Sequence, residues 1–152
     1  MRAQRWVLAR IRLGATNKSA KQIFTQVKSK FGKLFPPLYS NDGRNSNVKL
    51  KNIGQELSLS VLGLYGIKGI SGSVEITGIS STSFSFRPLP DHPDYSGKIT
   101  FSFLKLSGNA YLDVSAVSMA NIPGGADLDR YAVVGRALWW TFGQNIKSGV
   151  LN

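Results

Sequence analysis

The sequence predicts an α+β fold, in which an antiparallel sheet with one buried face is combined with an N-terminal and a C-terminal helix. Five short runs of alternating apolar and polar residues occur between residues 48 and 117, and such runs are typical of half-buried strands. Apolar residues recur at helical spacing on either side of this region. A length of 152 residues fits one domain, so we expect residues 1–152 to form a single domain.

The N-terminal stretch is predicted to be a strand. Residues 6–13 alternate, which would place Val7, Ala9, Ile11 and Leu13 on one face. Residues 1–14 are also rich in Arg and free of acids, which is typical of an organellar transit peptide or a basic extension. The alternation favours the strand.

An amphipathic helix is predicted to follow this strand. Thr16, Asn17 and Ser19 are suitable N-caps, because their side chains accept hydrogen bonds from the unpaired amides of a first turn. The apolar positions that follow have helical spacing: Ala20, Ile23, Phe24, Val27 and Phe31. We expect one helix of about 15 residues that ends at Gly32, and then a polar loop over residues 40–47.

The five alternating runs are predicted to form a meander of antiparallel strands. Their apolar positions are Leu57, Leu59 and Val61; Val74 and Ile76; Phe84 and Phe86; Ile99, Phe101 and Phe103; and Leu112, Val114 and Ala116. Ser and Thr occupy many of the intervening positions, where a fully solvated face would normally carry more charges. This polar face leaves room for a partner.

A long, aromatic-rich helix is predicted near the C-terminus. Asp127 or Asp129 would favour its start, because acids are stabilised at a helix N-terminus. Its apolar stripe contains Leu128, Tyr131, Ala132, Gly135, Leu138, Trp139, Phe142 and Ile146. Trp140 is turned about 100° away from Trp139 and lies off this stripe.

Positive charge is concentrated in the first third of the chain. The net charge is +11, and residues 1–52 hold twelve of the 19 Lys and Arg but one of the eight acids, Asp42. This asymmetry indicates an anionic partner, which would be nucleic acid, an anionic membrane surface or an acidic protein; the alternative is a solvated face without a partner. The candidate residues for such a contact are Arg2, Arg5, Arg10, Arg12, Lys18, Lys21 and Lys28.

The residues that usually carry catalysis are scarce. The chain has no cysteine and one histidine, which excludes disulfides, a thiolate nucleophile and a two-histidine metal site. We interpret His92 as part of a rigid proline-rich turn, and Glu56 and Glu75 as solvated strand residues. We therefore predict no catalytic residue, no metal site and no cofactor, and we favour a binding protein over an enzyme.

Targeting signals are equally sparse. The sequence contains no stretch of 18 apolar residues, so we predict no transmembrane helix. The N-terminus lacks the pattern of a secretory signal, which favours an intracellular location, with organellar targeting as the alternative.

The order of strand, helix, loop, antiparallel strands and long C-terminal helix resembles the helix-grip fold of the START and birch-pollen-allergen-like superfamily, which includes polyketide cyclases. Residues 83–97 run from an aromatic strand into the turn Leu89-Pro90-Asp91-His92-Pro93. This segment is similar to a strand–turn–strand in an uncharacterised bacterial branch of the superfamily. The resemblance covers residues 5–148, and this turn is its distinctive motif.

The resemblance implies a curved sheet wrapped around the C-terminal helix, with an apolar cavity between them. Members commonly bind lipids, sterols or aromatic metabolites, and some are cyclases. The function expected on this basis is non-enzymatic binding of a hydrophobic small molecule or lipid. The residues expected to line the site are Phe86, Phe101, Tyr111, Leu138, Trp139 and Phe142. The alternative is a basic interaction protein or assembly subunit that docks through residues 1–52.

Overall fold

The computed structural model describes residues 4–35, 39–40, 43–44, 48–61, 70–88, 98–118 and 139–151, and at several strand ends it describes the backbone alone. The strands are β1 (Gln4–Ala15), β2 (Tyr39–Ser40), β3 (Gly43–Arg44), β4 (Glu56–Val61), β5 (Ile70–Ile79), β6 (Ser83–Pro88), β7 (Lys98–Leu106) and β8 (Asn109–Ser118). The helices are α1 (Ala20–Ser29), α2 (Phe31–Leu34) and α3, described over residues 139–146, which continues into a π-helical turn at Lys147–Leu151.

Six strands form one curved antiparallel sheet in the order β1-β8-β7-β6-β5-β4, and β2 and β3 form a separate small hairpin. The α+β fold class is therefore confirmed. All five predicted runs are strands of the large sheet, and the predicted N-terminal strand pairs with β8 at its edge. The hairpin β2–β3 begins at Tyr39 and otherwise lies within residues 40–47, which were predicted to be a loop.

The inner face of the sheet carries the core, as the alternation predicted. In β7 and β8, for example, Phe101 lies opposite Val114 and Phe103 lies opposite Leu112, and all four side chains are buried. The outer face carries the intervening polar residues. Among the described residues one polar side chain is classed as buried, that of Ser85, whose hydroxyl forms a hydrogen bond with that of Thr77 at 2.9 Å.

The alternation in β1 is interrupted by a bulge. Val7 lies opposite Ser115, whereas Ala9 lies opposite Val114, so one residue of β1 is unpaired between them. Ala9 and Ile11 pack against the core and Leu13 is buried, which confirms the C-terminal half of the predicted face. A bulge shifts the pairing of every residue beyond it by one position. The prediction that Val7 shares a face with Ala9 did not allow for this shift.

The predicted N-terminal helix is split into two. Ser19 is its N-cap and forms a capping box with Gln22, but α1 ends at Ser29 and Lys30 leaves the helical conformation (φ −116°, ψ 18°). The short helix α2 then presents Phe31 and Leu34 to the core. The single helix of about 15 residues was thus wrong. A break at Lys30 lets the chain turn while Phe31 stays on the buried side.

The end of α3 packs on α2 and β1. Phe142 and Ile146 are fully buried, and the Asn145 side chain donates a hydrogen bond to the carbonyl of Leu34 at 3.0 Å. A Cβ at Gly143 would lie 2.8 Å from the Ile11 side chain, so the glycine allows the helix to approach β1 closely. The predicted start of this helix, at Asp127 or Asp129, lies outside the described residues.

Candidate functional site

The inner face of the sheet meets the helices in a cluster of phenylalanine rings. All eight phenylalanines of the chain are at most 4% exposed. The strands β6 and β7 contribute Phe84, Phe86, Phe101 and Phe103. The short helical segment contributes Phe24 from α1, Phe31 from α2 and Phe35 just after α2, and α3 contributes Phe142. Ring contacts connect all of them into one network. We call this the phenylalanine cluster.

Three of the predicted ligand-lining residues belong to this cluster. The ring centroids of Phe86 and Phe101 are 5.8 Å apart, and those of Phe101 and Phe142 are 5.9 Å apart. Phe35 contacts all three rings, at 6.0, 5.8 and 5.0 Å. The sequence therefore identified residues that meet in space, but it missed Phe31 and Phe35, which cover them. Phe31 was attributed to the apolar stripe of the predicted helix, and Phe35 was given no role.

The boundary of the cluster is marked by two apolar side chains that are only partly buried. Trp139 lies one turn before Phe142 on α3, and Ile99 lies opposite Phe86 on the sheet; both pack against the core. Ile99 is near the end of the sheet where β7 begins at Lys98. Ile99 and Trp139 are thus only partly buried, whereas their neighbours in the cluster, Phe86 and Phe142, are buried. Leu138, the neighbouring predicted residue, lies outside the described residues.

Tyr111 is not part of this group. Leu112 and Ala110, its neighbours in β8, are buried on the inner face, so Tyr111 lies on the outer face. There the Arg10 guanidinium lies 6.0 Å from the centre of the tyrosine ring. The prediction that Tyr111 lines the same site as Phe101 is corrected by the same alternation that predicted β8.

The predicted anion-binding arginines lie on this outer face as well. Arg10 donates two hydrogen bonds to the Asp113 carboxylate, at 2.7 and 2.8 Å, and Arg12 donates one to the Asn109 side chain at 2.9 Å. The hydrogen bonds to Asp113, and then its charge, raise the pKa of Arg10 above its usual value. Arg5 lies opposite Val117 in the sheet, and its side chain, like all of Arg2, lies outside the described residues.

The predicted lysines occupy the helical side of the molecule instead. Lys18 donates to the carbonyl of Val150, in the π-helical turn, and Lys28 lies 5.1 Å from the centre of the Phe24 ring. Lys21 is exposed on α1. The seven predicted residues are therefore not one surface: Arg10 and Arg12 are separated from the lysines by the thickness of the sheet and its core.

The two glutamates of the chain face solvent rather than a cleft. Glu56 and Glu75 lie directly opposite each other in β4 and β5, and Arg87 donates to the Glu75 carboxylate at 2.7 Å. The arginine offsets the repulsion that two opposed carboxylates would otherwise have. His92, Asp91 and Asp94 lie outside the described residues. No group of three or more His, Cys, Asp or Glu that could hold a metal occurs in the described ranges.

No helix in the described part of the chain is both long and apolar enough to span a membrane. No protein-family model matches the sequence, and no curated protein matches it. Among solved structures, the chain is similar to ginseng major latex-like protein 151 from Panax ginseng, at 12% identity and a TM-score of 0.62, over 99% of both chains. It is also similar to a START superfamily protein from Mycobacterium smegmatis, at 14% identity and a TM-score of 0.54, over 98% of this chain and 95% of that one.

A third similar structure is the di-domain ARO/CYC StfQ from the steffimycin biosynthetic pathway, at 9% identity and a TM-score of 0.61. The match covers 96% of this chain and 50% of StfQ. At such low identities, similarity across nearly the whole chain is evidence about the fold. The chain therefore has the helix-grip fold of the START and birch-pollen-allergen-like superfamily.

Proposed function

We propose that this chain binds an apolar small molecule or lipid between the sheet and the C-terminal helix, and that it does so without catalysis. The observation that carries the proposal is the composition of the inner face. The described buried residues are all apolar apart from Ser85, which belongs to the outer face. A ligand that buries apolar surface against these residues gains a binding free energy of about 25 cal/mol per Å². These buried residues include no titratable group for acid–base chemistry.

The ligand is expected beside Ile99 and Trp139. Phe86, Phe101 and Phe142 already contact neighbouring rings, so we assign them to the floor of the site rather than to its walls. Ile99 and Trp139 are two of the partly buried apolar residues that pack against the core, and they adjoin Phe86 on the sheet and Phe142 on α3. An indole in this position supplies a large contact area at low entropic cost.

The fold is compatible with binding and with catalysis, because the similar structures include a START superfamily protein and an ARO/CYC protein. We favour binding on the described residues alone: the buried residues of the inner face include no acid or base that could move a proton. The alternative of a basic interaction protein rests on a different surface, the exposed lysines of the helical side.

The proposal is tested first by native mass spectrometry of the purified chain. An added mass of a few hundred daltons that is lost on denaturation would identify a bound ligand directly. A neutral apolar dye, such as N-phenyl-1-naphthylamine, then measures the affinity of the emptied site. A neutral dye is required because an anionic one would also bind the lysines.

Ile99→Trp is the informative variant, because the larger side chain would fill the space beside the floor. We expect it to weaken dye binding at least tenfold. The matched control is Leu106→Trp on the same strand, since Leu106 is 46% exposed. Equal dye binding by both variants, with no ligand mass in the wild type, would overturn the proposal. Circular dichroism verifies that both variants fold.

A further inference from the structure

The helical side of the molecule carries a surface whose charge has no paired acid among the described residues. Six lysines surround the junction of α1 and α2: Lys28, Lys30, Lys33, Lys49, Lys51 and Lys147. We call this the lysine face. All but Lys28, which is half-buried, are classed as exposed.

Contacts of the backbone bring these lysines together from four segments. The amide of Leu50 donates to the carbonyl of Lys28 at 3.0 Å, and that of Gly32 donates to the carbonyl of Val48 at 2.8 Å. Segment 48–51 therefore lies along the end of α1 and the start of α2. Leu50 is buried, and Lys49 and Lys51 on either side of it are exposed.

The π-helical turn completes the surface. The Lys30 ammonium donates to the carbonyl of Gly149 at 3.2 Å, which joins α1 to the end of the last helix. Lys147 lies at the start of the same turn. A cation near the C-terminus of a helix is also stabilised by the helix dipole, which favours the position of Lys30 beside this turn.

Acidic residues are absent from these segments. Residues 16–35, 48–55 and 139–151 contain no Asp or Glu. The three acids that the structure describes, Glu56, Glu75 and Asp113, all lie on strands of the sheet. No salt bridge joins the lysine face to a carboxylate within the described residues. The surface therefore has a positive potential that is available to a partner.

Two large apolar side chains are exposed on segments that also carry lysines of this face. Ile53 is 65% exposed and follows Lys51 by two residues. Trp140 is 59% exposed and precedes Lys147 by about two turns of α3. Tryptophan and lysine together are typical of surfaces that rest on a lipid headgroup layer.

We propose that the lysine face docks on an anionic lipid membrane, with Trp140 and Ile53 entering the headgroup layer. Lysine suits a diffuse layer of charge, whereas the planar fork of arginine suits bidentate contacts with phosphates and bases. The three arginine side chains that the structure describes, those of Arg10, Arg12 and Arg87, are all on the outer face of the sheet. This distribution favours a membrane over nucleic acid. The proposal does not depend on the ligand site proposed above.

Sedimentation of the full chain with lipid vesicles tests the proposal. We expect binding to vesicles of equimolar phosphatidylcholine and phosphatidylglycerol, little binding to phosphatidylcholine alone, and release as salt is added. The double variant Lys33→Glu, Lys49→Glu is expected to lose at least about tenfold in vesicle affinity. The matched control, Arg12→Glu with Lys98→Glu, removes the same net charge from the outer face of the sheet and should change the affinity less than about twofold.

Trp140 provides a second readout. The chain has three tryptophans, so a blue shift of emission on vesicle addition is assigned by its loss in Trp140→Phe. Equal losses in both charge variants, or equal binding to both vesicle types, would overturn the proposal. Binding to a DNA duplex without binding to vesicles would favour nucleic acid instead. Binding to neither would refute any anionic partner of these two classes.

Discussion

The outer face of the sheet and the helical side of the molecule carry their positive charge in different ways. On the sheet, Arg10 and Arg87 form salt bridges with Asp113 and Glu75, and Arg12 bonds to Asn109. On the helical side, eight lysines occur in segments that contain no acid. The charges of Arg10 and Arg87 on the sheet are thus paired across neighbouring strands, where they contribute to register. Charge on the helical side remains as a net field, which is the property that a partner can recognise.

The largest expected effect concerns how the helical side is held to the sheet. Phe31→Ala removes a fully buried ring that contacts four other rings, those of Phe35, Phe84, Phe86 and Phe142. We expect the free energy of unfolding to fall by about 3–5 kcal/mol, because the substitution leaves a cavity between the helices and the sheet. Urea denaturation measures the change.

Tyr111→Ala is the matched control on the outer face, where the ring is only half-buried. We expect a loss of about 1 kcal/mol, since the ring contributes contacts but leaves no cavity. Similar losses for the two variants would contradict the view that only one face of the sheet is packed.

An intermediate effect is expected at Lys18, which is half-buried and donates a hydrogen bond to the carbonyl of Val150. Lys18→Met keeps the aliphatic chain and removes the charge at the helix C-terminus. We expect a loss of about 1 kcal/mol and faster amide exchange in residues 147–151.

Lys21→Met is the control for this variant, because the Lys21 side chain is exposed on the same helical side. Its unfolding free energy should change by less than about 0.5 kcal/mol. If the two variants behaved alike, Lys18 would belong with the solvated lysines and would have no separate structural role.

The smallest effect is expected for the ion pair on the outer face. Asp113→Asn leaves a neutral acceptor beside Arg10, whose side chain is 53% exposed. Water and salt screen such a pair, so we expect a change in stability smaller than that of Lys18→Met. Denaturation at low and high salt checks this expectation. A loss of unfolding free energy that exceeds that of Lys18→Met, or that persists at high salt, would contradict it. The ion pairs on the sheet would then contribute more to stability than a screened surface pair does.

The sequence carried most of the information about the sheet. Alternation located all five strands of the meander and separated Phe101 from Thr100 on opposite faces, because a half-buried strand must alternate. The same rule applied consistently would have placed Tyr111 on the outer face. The bulge in β1 was not predictable in this way, since it appears only when Val7 and Ala9 are paired with β8.

The helical side was harder to predict because its contacts join distant parts of the chain. The choice of Ser19 as N-cap depends on the reciprocal bond of Gln22, which is a local pattern. The break at Lys30 depends on how Phe31 and Phe35 reach the rings of Phe84 and Phe101. The bond from Lys18 to Val150 spans 132 residues, and no local signal encodes it.

The pairing of β1 with β8 has a consequence for the order in which the molecule assembles. Strands β4 to β8 are each joined to the next in sequence, so their pairing closes comparatively short loops. The Arg10–Asp113 bond instead joins residues 103 positions apart. Such non-local contacts yield their free energy only after a large loss of chain entropy, and they slow folding. β1 is therefore the strand whose pairing must wait for the rest of the sheet, and α3, which fits against it at Gly143, completes its packing no earlier.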